Sequence, residues 1–554
     1  MKLRKVFLST IISTIFVCFF IGVANGQPPT IAPKTQSIDI NSAYKPVLRN
    51  AAKINLSGTI LQSDTTLPTY SYKIPTQNLF YAYKPITLKP LALDKDTNLY
   101  LGNRNFVKLG FGNFTTPYLK AGLSLGDGKT SLVNFYLDYI SSKGTAIKFQ
   151  DYSSFNAKAA GSYFMPKNEL YASVDVGLHN YNLYGYDHTL YPLYNKDNLQ
   201  QAFRDVTIKS GIKNTKATET GINYNPNFEI NLFAFSSKVN ESNIILDLPF
   251  DKVINDNASA KITVKADFTN YTTKSFIPTN IVIKNTIVLI APSVNLYNDM
   301  FKLNVGVTPA WNNNKYEILP DIFGEAKIKD KVFSIQAGWI GRLEKNSFRN
   351  LSKINPYLAP LTTQLNTKET EIFGGIKASI AQHFNFSAKA GLVSFKNLPF
   401  FINDTAFDNK SFKVSNETSV QNFRVHGDFS YINQDKFSLN GGITFNGYAL
   451  LQTNARAWHT FPLEITSSLR WWAVKTVLFK ADLRVFEGSN YLAKGNIARP
   501  LKGGTDLSMG AEIKLSKKIS VWGDANNVLN SKYERWNNYE VYGANFIGGI
   551  LLHF

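Results

Sequence analysis

The clearest pattern in the chain is an alternation of apolar and polar residues, which recurs in short stretches from about residue 104 onward. In one such stretch every second residue is apolar, namely Leu507, Met509, Ala511, Ile513 and Leu515. The stretches 479–485 and 262–269 alternate in the same way. A period of two places successive side chains on opposite faces of a strand, so each stretch predicts a β-strand with one apolar and one polar face.

The connections between these strands differ in length. Residues typical of tight turns occur at 126–128, 166–168, 214–216 and 516–518. Longer connections are predicted at 181–203, 344–367, 397–409, 488–505 and 529–544. Near both ends of the chain short and long connections alternate, as they do in outer-membrane barrels, whose periplasmic turns are short and whose external loops are long. The fold predicted for 104–554 is therefore all-β, a transmembrane antiparallel β-barrel.

The last strand supports the same prediction. Its apolar positions share one face and the chain ends on an aromatic residue, the usual ending of such barrels: Phe546, Gly548, Ile550, Leu552 and Phe554. Aromatic girdles are expected at both membrane interfaces, and six tryptophans lie near predicted strand ends: Trp311, Trp339, Trp458, Trp471, Trp472 and Trp522. With both termini expected in the periplasm the strand number is even, and we predict 22, with 18 or 20 as alternatives.

The N-terminus has the features of an export signal. Lys2, Arg4 and Lys5 precede an apolar stretch at 6–23, and the small residues of 24–26 form a cleavage site. These features predict a signal peptide over 1–26. The alternative is an N-terminal anchor helix, against which the small-residue site argues.

Residues 27–103 differ from both neighbours in composition. They contain eight of the 22 prolines, and proline interrupts both helices and sheet ladders. This spacing predicts an extended segment rather than a globular domain. Two placements stay open: the segment lies in the periplasm, or it threads into the lumen of the barrel.

Composition excludes several classes of protein. The chain has 44% apolar and 14% aromatic residues, too many for a disordered protein, and its one cysteine, Cys18, cannot pair within the chain. Past residue 26 no apolar run approaches the ~18 residues of a spanning helix. Alternation explains the average composition, because apolar residues face lipid and polar residues face the lumen.

The positive charge has three interpretations. The formal net charge is +20, and the candidates for lumen-facing charges are Lys265, Lys480, Asp482, Arg484, Glu512 and Lys514. Basic residues in the lumen would favour anionic solutes. Basic loop residues such as Lys494, Arg499 and Lys502 would instead bind lipopolysaccharide phosphates. The third interpretation is a lysine-rich composition whose charges are simply solvated.

No motif predicts an enzyme. The six histidines include no pair with the i, i+4 spacing of a zinc site. Residues 122–126 match G-x-S-x-G, but they lie between two strands rather than between a strand and a helix. Residues 128–130 resemble the end of a P-loop without its leading glycine, and a hairpin turn explains them better. We predict no catalytic residue, no metal site and no cofactor.

Several stretches resemble a known family. The stretch 526–533, with the closing residues 542–554, resembles the C-terminal part of TonB-dependent receptor barrels. The stretches 42–54, 109–117 and 346–358 are similar to those of Bacteroidetes proteins labelled TonB-dependent receptor-like that lack a plug. The resemblance implies an outer-membrane barrel. Only the proline-rich segment precedes the barrel here, and it shows no convincing TonB box.

The combined prediction is an integral protein of the Gram-negative outer membrane, with passive or gated transport of a polar solute, as in a porin. The alternative is a structural or accessory subunit of an outer-membrane complex. Expected partners are membrane lipid and lipopolysaccharide, the barrel assembly machinery acting on the strand that ends at Phe554, and other outer-membrane or periplasmic proteins. Nucleic acid is not expected, because the basic residues are dispersed and accompanied by acidic ones.

Overall fold

The computed structural model describes residues 105–554, except 237, 274–279, 329–331, 381–382, 406–407 and 434–435. The signal peptide predicted at 1–26 and the proline-rich segment predicted at 27–103 lie outside the described residues. Neither helix among the described residues is long or apolar enough to cross a membrane.

One antiparallel sheet closes on itself. Its first strand, β1 (Phe106–Gly112), lies between β2 (Thr116–Gly126) and the last strand, β27 (Asn545–His553), so that Phe106 stands opposite both Gly122 and His553. The sheet has 23 segments, of which β7 (Ile222–Tyr224) and β8 (Asn227–Phe235) are two parts of one strand, since both pair with β9 (Val239–Asn255). Pro226, which lacks an N–H, separates the two parts. The barrel therefore has 22 strands, which confirms the predicted fold and number.

The remaining barrel strands are β3 (Ser131–Lys143), β4 (Asp151–Phe164), β5 (Asn168–Asn182), β6 (Gln200–Asn214), β10 (Ala258–Thr273), β11 (Ile281–Tyr297), β12 (Phe301–Asn312), β13 (Lys315–Lys327), β14 (Phe333–Glu344), β15 (Thr367–Ile380), β16 (Phe384–Asn403), β17 (Phe412–Asn433), β18 (Phe437–Ala449), β19 (Leu463–Val474), β20 (Val477–Phe486), β23 (Gly504–Lys514) and β24 (Ile519–Asn526). Two hairpins lie outside the barrel sheet: β21 (Asn490–Ala493) with β22 (Ile497–Pro500), and β25 (Glu534–Trp536) with β26 (Tyr539–Glu540). Two short helices lie in loops: α1 (Lys196–Leu199) and α2 (Phe348–Ile354).

The alternation separates the two faces of the wall. On β23 the polar residues Asp506, Ser508 and Glu512 are buried, whereas Met509 and Ile513 are half exposed. On β27 and the residue after it, the apolar face predicted from the sequence is exposed, including Phe546, Ile550, Leu552 and Phe554. Exposed apolar side chains on a closed barrel form the lipid-facing surface, and polar side chains face inward, where they bond to one another.

The long connections gather at one end of the barrel. The end that carries the chain termini has short turns, including 165–167, 475–476 and 515–518. The opposite end, which this parity assigns as external, carries all the longest loops: 183–199, 345–366, 450–462, 487–503 and 527–544.

Two expectations from the sequence are wrong, one about the bounds of a loop and one about two tryptophans of the aromatic girdle. The loop predicted at 397–409 begins later, because β16 continues through Asn397, whose φ of 56° does not end the strand, and the connection is 404–411. Trp311, Trp339 and Trp471 are exposed, as a girdle requires. Trp458 and Trp522 are almost fully buried and so do not belong to a lipid-facing girdle.

Candidate functional site

The inner face of the wall is lined with ion pairs between strands that are adjacent or separated by one strand. Arg470 on β19 donates two hydrogen bonds to Asp482 on β20, at 3.0 and 3.1 Å. The other pairs are Arg484 with Glu464 on the same two strands, Lys389 with Glu371 on adjacent strands, and Arg424 with Glu369 and Lys377 with Glu325 across one strand. Each basic group in this set has a carboxylate partner, so these strands present balanced charge rather than a positive surface.

The six charged residues singled out in the sequence have different surroundings. Lys265 shares a strand face with Asp267, Thr269 and Tyr271, all of which are buried. Lys480 lies 3.7 Å from Asp524, and Lys514 lies over the ring of Trp472 at 3.9 Å. Asp482 and Arg484 belong to the ion pairs above, and Glu512 is fully buried.

A cavity of about 510 Å³ is lined by one arc of the barrel wall, from β19 through β1 to β8, and by residues of α2 and Pro356 just after it. Lys480 and Asp482 line it together with Tyr118, Tyr136 and Tyr181. Its charged lining contains six basic residues and five carboxylates: Lys108, Lys120, Lys158, Lys353, Arg470 and Lys480, with Asp138, Asp175, Asp205, Asp482 and Asp524. The charged groups of the lining are therefore close to balanced in sign.

Residues 345–366, here called the inner loop, connect β14 and β15 and fold against the inner wall. The Arg349 guanidinium donates hydrogen bonds to Asp205 on β6 and to Thr207, each at 2.8 Å. The Lys353 ammonium forms an ion pair with Asp205 at 2.7 Å. Lys345 bonds Asp267 on β10 at 2.8 Å. Three basic side chains thus hold this loop to carboxylates of two separate strands.

The start of α2 is fixed by a buried wall carboxylate. Ser347 caps the helix, and Glu241 on β9 accepts the N–H groups of Phe348 at 2.8 Å and Arg349 at 3.3 Å. These are donors that the first turn of a helix leaves unpaired. Phe348 is fully buried against Tyr271 and neighbouring aromatic side chains, so polar and apolar contacts secure the same turn.

Aromatic side chains of three connections and of the external end of β17 meet at that end and form what we call the mouth cluster: Tyr184, Tyr357, Tyr539, Trp536 and Phe412. The rings of Tyr357 and Tyr539 stack with centroids 3.6 Å apart, and Tyr184 contacts Tyr539 edge-on at 4.8 Å. The three tyrosines come from the β5–β6, β14–β15 and β24–β27 connections. Because these connections leave well-separated parts of the wall, the contacts cross the mouth of the barrel.

The tyrosine contacts need close backbone approach and protonated hydroxyls. A Cβ on Gly185 would overlap the Tyr539 ring, so a larger residue would separate the two loops. The Tyr184 hydroxyl donates to the Glu540 carbonyl at 2.9 Å, and burial raises the pKa of Tyr184 to about 12. Each aromatic pair contributes roughly 0.5–1.5 kcal/mol beyond the area it buries.

His459 joins two external loops in its neutral form. Its Nδ1 donates to the Phe401 carbonyl at 2.7 Å, which leaves Nε2 to accept the N–H of Asn537 at 3.3 Å. The ring is almost fully buried beside Trp536. Burial lowers the pKa of His459 to about 3, and the nearby Arg535 guanidinium acts in the same direction.

We expect acid to weaken this loop contact. In undocked loops histidine takes up a proton below about pH 6.5, whereas docked His459 stays neutral down to about pH 3. The stability of the contact is therefore complete above pH 6.5 and is lost as the pH falls toward 3. Tryptophan fluorescence against pH should show this transition. His459→Asn, which suits the left-handed backbone there (φ 54°), should flatten it; equal profiles would contradict the assignment.

Sequence reasoning missed the inner loop and the mouth cluster as functional elements. The sequence placed the stretch 346–358 in a predicted long connection and in a resemblance to a family, but its helix is too short to show a period. Among residues 105–554, outside the gaps given above, no group of three or more His, Cys, Asp and Glu side chains is arranged to hold a metal ion.

Comparison with known proteins was informative only for structure. The sequence matches no protein-family model and no curated protein. The FrpB iron transporter from Neisseria meningitidis has a similar structure, with TM-score 0.63 and 11% identity over 82% of each chain. The ferripyoverdine receptor of Pseudomonas aeruginosa gives TM-score 0.60 and 10% identity over 81% of this chain and 72% of that one. The copper transporter OprC gives TM-score 0.60 and 12% identity over 82% of this chain and 80% of that one.

These similarities show the fold. The barrel has the 22-strand architecture of TonB-dependent receptors. With its closed sheet and exposed apolar outer surface, the protein is an integral outer-membrane β-barrel.

Proposed function

We propose that this protein is a gated transport barrel for a polar solute, related in fold to TonB-dependent receptors and lacking their plug. The observation that carries the proposal is a cavity inside the barrel whose lining contains many charged groups, with the inner loop and the mouth cluster between it and the external end. The structural neighbours are named for iron, ferripyoverdine and copper, and a metal complex is one polar solute within this proposal. The balanced ion pairs give no support to a preference for anions.

Membrane lipid is the proposed partner of the apolar outer surface. We extend the proposal to the barrel assembly machinery, which would recognise the last strand, where Phe554 follows β27 and is two-thirds exposed. The exposed loop residues Lys494, Arg499 and Lys502 remain the candidates for contact with lipopolysaccharide phosphates.

The test is solute flux through purified protein in liposomes, measured as osmotic swelling. We expect swelling with small polar solutes, and we expect it to stop when the loop 527–544 is tied to the wall. Asn537 and Asn403 suit the tie, because their side-chain amides lie 3.3 Å apart. The only natural cysteine, Cys18, falls in the predicted signal peptide, so Asn403→Cys and Asn537→Cys can be joined selectively by a short reducible thiol reagent.

The single-cysteine variants, treated in the same way, are the matched controls and should keep their flux. Reduction should restore flux in the linked double variant. Absence of flux from the full chain, and also after deletion of residues 27–103, would refute the transport function. Flux that is indifferent to the link would refute the gate alone.

A second candidate function is an accessory subunit of an outer-membrane complex. It is favoured by the loop 183–199, where Leu190 is 70% and Leu193 is 94% exposed. Large apolar side chains at a loop tip are typical of a contact with another protein. A stoichiometric partner that co-purifies with the wild type, and is lost with Leu190→Ser/Leu193→Ser, would support this function.

A further inference from the structure

We propose that the cavity beside the inner loop is a binding chamber for a small zwitterionic solute that carries a flat apolar group. This inference deepens the transport function proposed above and rests on it. The volume of about 510 Å³ lies within the roughly 300–1,000 Å³ of small-molecule sites. A solute of dipeptide size fits within it.

One side of the chamber is aromatic. Tyr181, Phe203 and Phe233 line it where it meets the apolar residues below the mouth cluster. Tyr181 and Phe203 contact each other edge-on with centroids 6.1 Å apart, which fixes their rings. Fixed aromatic faces and edges suit a flat apolar group, because they bury large area with little loss of side-chain freedom.

The other sides offer both signs of charge at close range. Lys158 and Asp175 are 3.1 Å apart on neighbouring strands, and Arg470 binds Asp482 across the chamber wall. A solute with only negative charge would be repelled by the carboxylate beside each of these basic groups. A solute with only positive charge would be repelled by the basic group beside each carboxylate. A zwitterion satisfies both members of a pair at once.

The pair of Lys158 and Asp175 is the one best placed to exchange partners. Its side chains are 48% and 37% exposed, so water already competes for them and little desolvation opposes exchange. The pair of Lys345 and Asp267 that holds the inner loop is only 8% and 13% exposed. The structure thus separates the exposed pair of Lys158 and Asp175, which is available to a solute, from the buried pair of Lys345 and Asp267, which fixes the loop.

The experiment is calorimetric titration of the full-length protein in detergent with the dipeptide Phe-Gly. We expect binding, and about a tenfold or greater loss of affinity in Lys158→Met/Asp175→Asn, because charged hydrogen bonds are the stronger kind. The capped, uncharged dipeptide and citrate should both bind more weakly than Phe-Gly.

The matched control is Lys213→Met/Glu169→Gln. It removes a pair of 2.8 Å between β5 and β6 that does not line the chamber, and it should leave affinity unchanged. Equal affinity of the chamber variant and the wild type, or of capped and free dipeptide, would overturn the proposal. Flux without Phe-Gly binding would refute the binding chamber but not the transport function. Phe-Gly binding without any flux would refute the transport function but not the binding chamber.

Discussion

We expect the double variant Asp205→Asn/Asp267→Asn to detach the inner loop from the barrel wall. Asp205 holds Arg349 and Lys353, and Asp267 holds Lys345. Lys345 is nearly buried, so loss of its partner leaves an uncompensated charge, which costs about 3–5 kcal/mol. The detached loop should expose Lys345, Arg349 and Lys353 to trypsin, and fragments ending at these residues identify it by mass spectrometry. Conductance in planar bilayers should rise severalfold.

The control for this variant is Glu325→Gln. It removes the 3.2 Å pair with Lys377 from the same wall but touches no residue of the inner loop. It should keep the protease resistance of the wild type. If the double variant resists trypsin equally well, the carboxylates do not hold the loop.

The second large effect is expected from Glu417→Gln, which should release the external loop 450–462. Glu417 is fully buried and accepts the N–H groups of Gln452, Thr453 and Asn454 at 2.7, 2.9 and 2.8 Å. A glutamine turns one acceptor into a donor that faces other donors. Because each hydrogen bond to a charged group contributes about 1.5–3 kcal/mol, we expect a loss of about 3 kcal/mol or more.

Trypsin cleavage after Arg456, an exposed residue of this loop, measures the release. Thr418→Val is the neighbouring control, since it removes only a neutral contact of 2.7 Å with Thr453 and should change cleavage little. A Glu417→Gln protein as resistant as the wild type would show that the loop is held by its other contacts.

The barrel could be predicted from the sequence because its signal is local. Each strand carries its own period of two, as in 506–515, and lipid demands an apolar residue at every second position of the outer face. An even strand number followed from the expected position of both termini, and 22 was preferred to 18 or 20. The long loops near both chain ends could be located from the stretches that separate the strands.

The inner loop and the mouth cluster could not be predicted, because they depend on contacts between distant parts of the chain. Nothing local to Asp205 or Glu241 shows that each would bind residues near 349. The same limit explains Trp458 and Trp522, which lie near strand ends but point away from lipid. Position along a strand was visible in the sequence, whereas the partner across the lumen was not.

The charge was harder to interpret than the fold. A net charge of +20 suggests an anion-selective lumen only if basic side chains stand alone. Strand register instead sets Arg470 beside Asp482 and Arg484 close to Glu464, and register is a property of the assembled sheet. The count of charges is therefore a poor guide to the field inside the barrel.

The contacts of the mouth cluster also indicate when it forms during folding. The Tyr184 hydroxyl binds the carbonyl of Glu540, 356 residues later. Contacts between such distant residues form late, because a long stretch of chain must first be ordered. Tyr539 precedes only the last strand, whose pairing with β1 closes the sheet. The external end can therefore be sealed only around the time that the seam between the first and last strands forms, and a half-assembled barrel stays unsealed there.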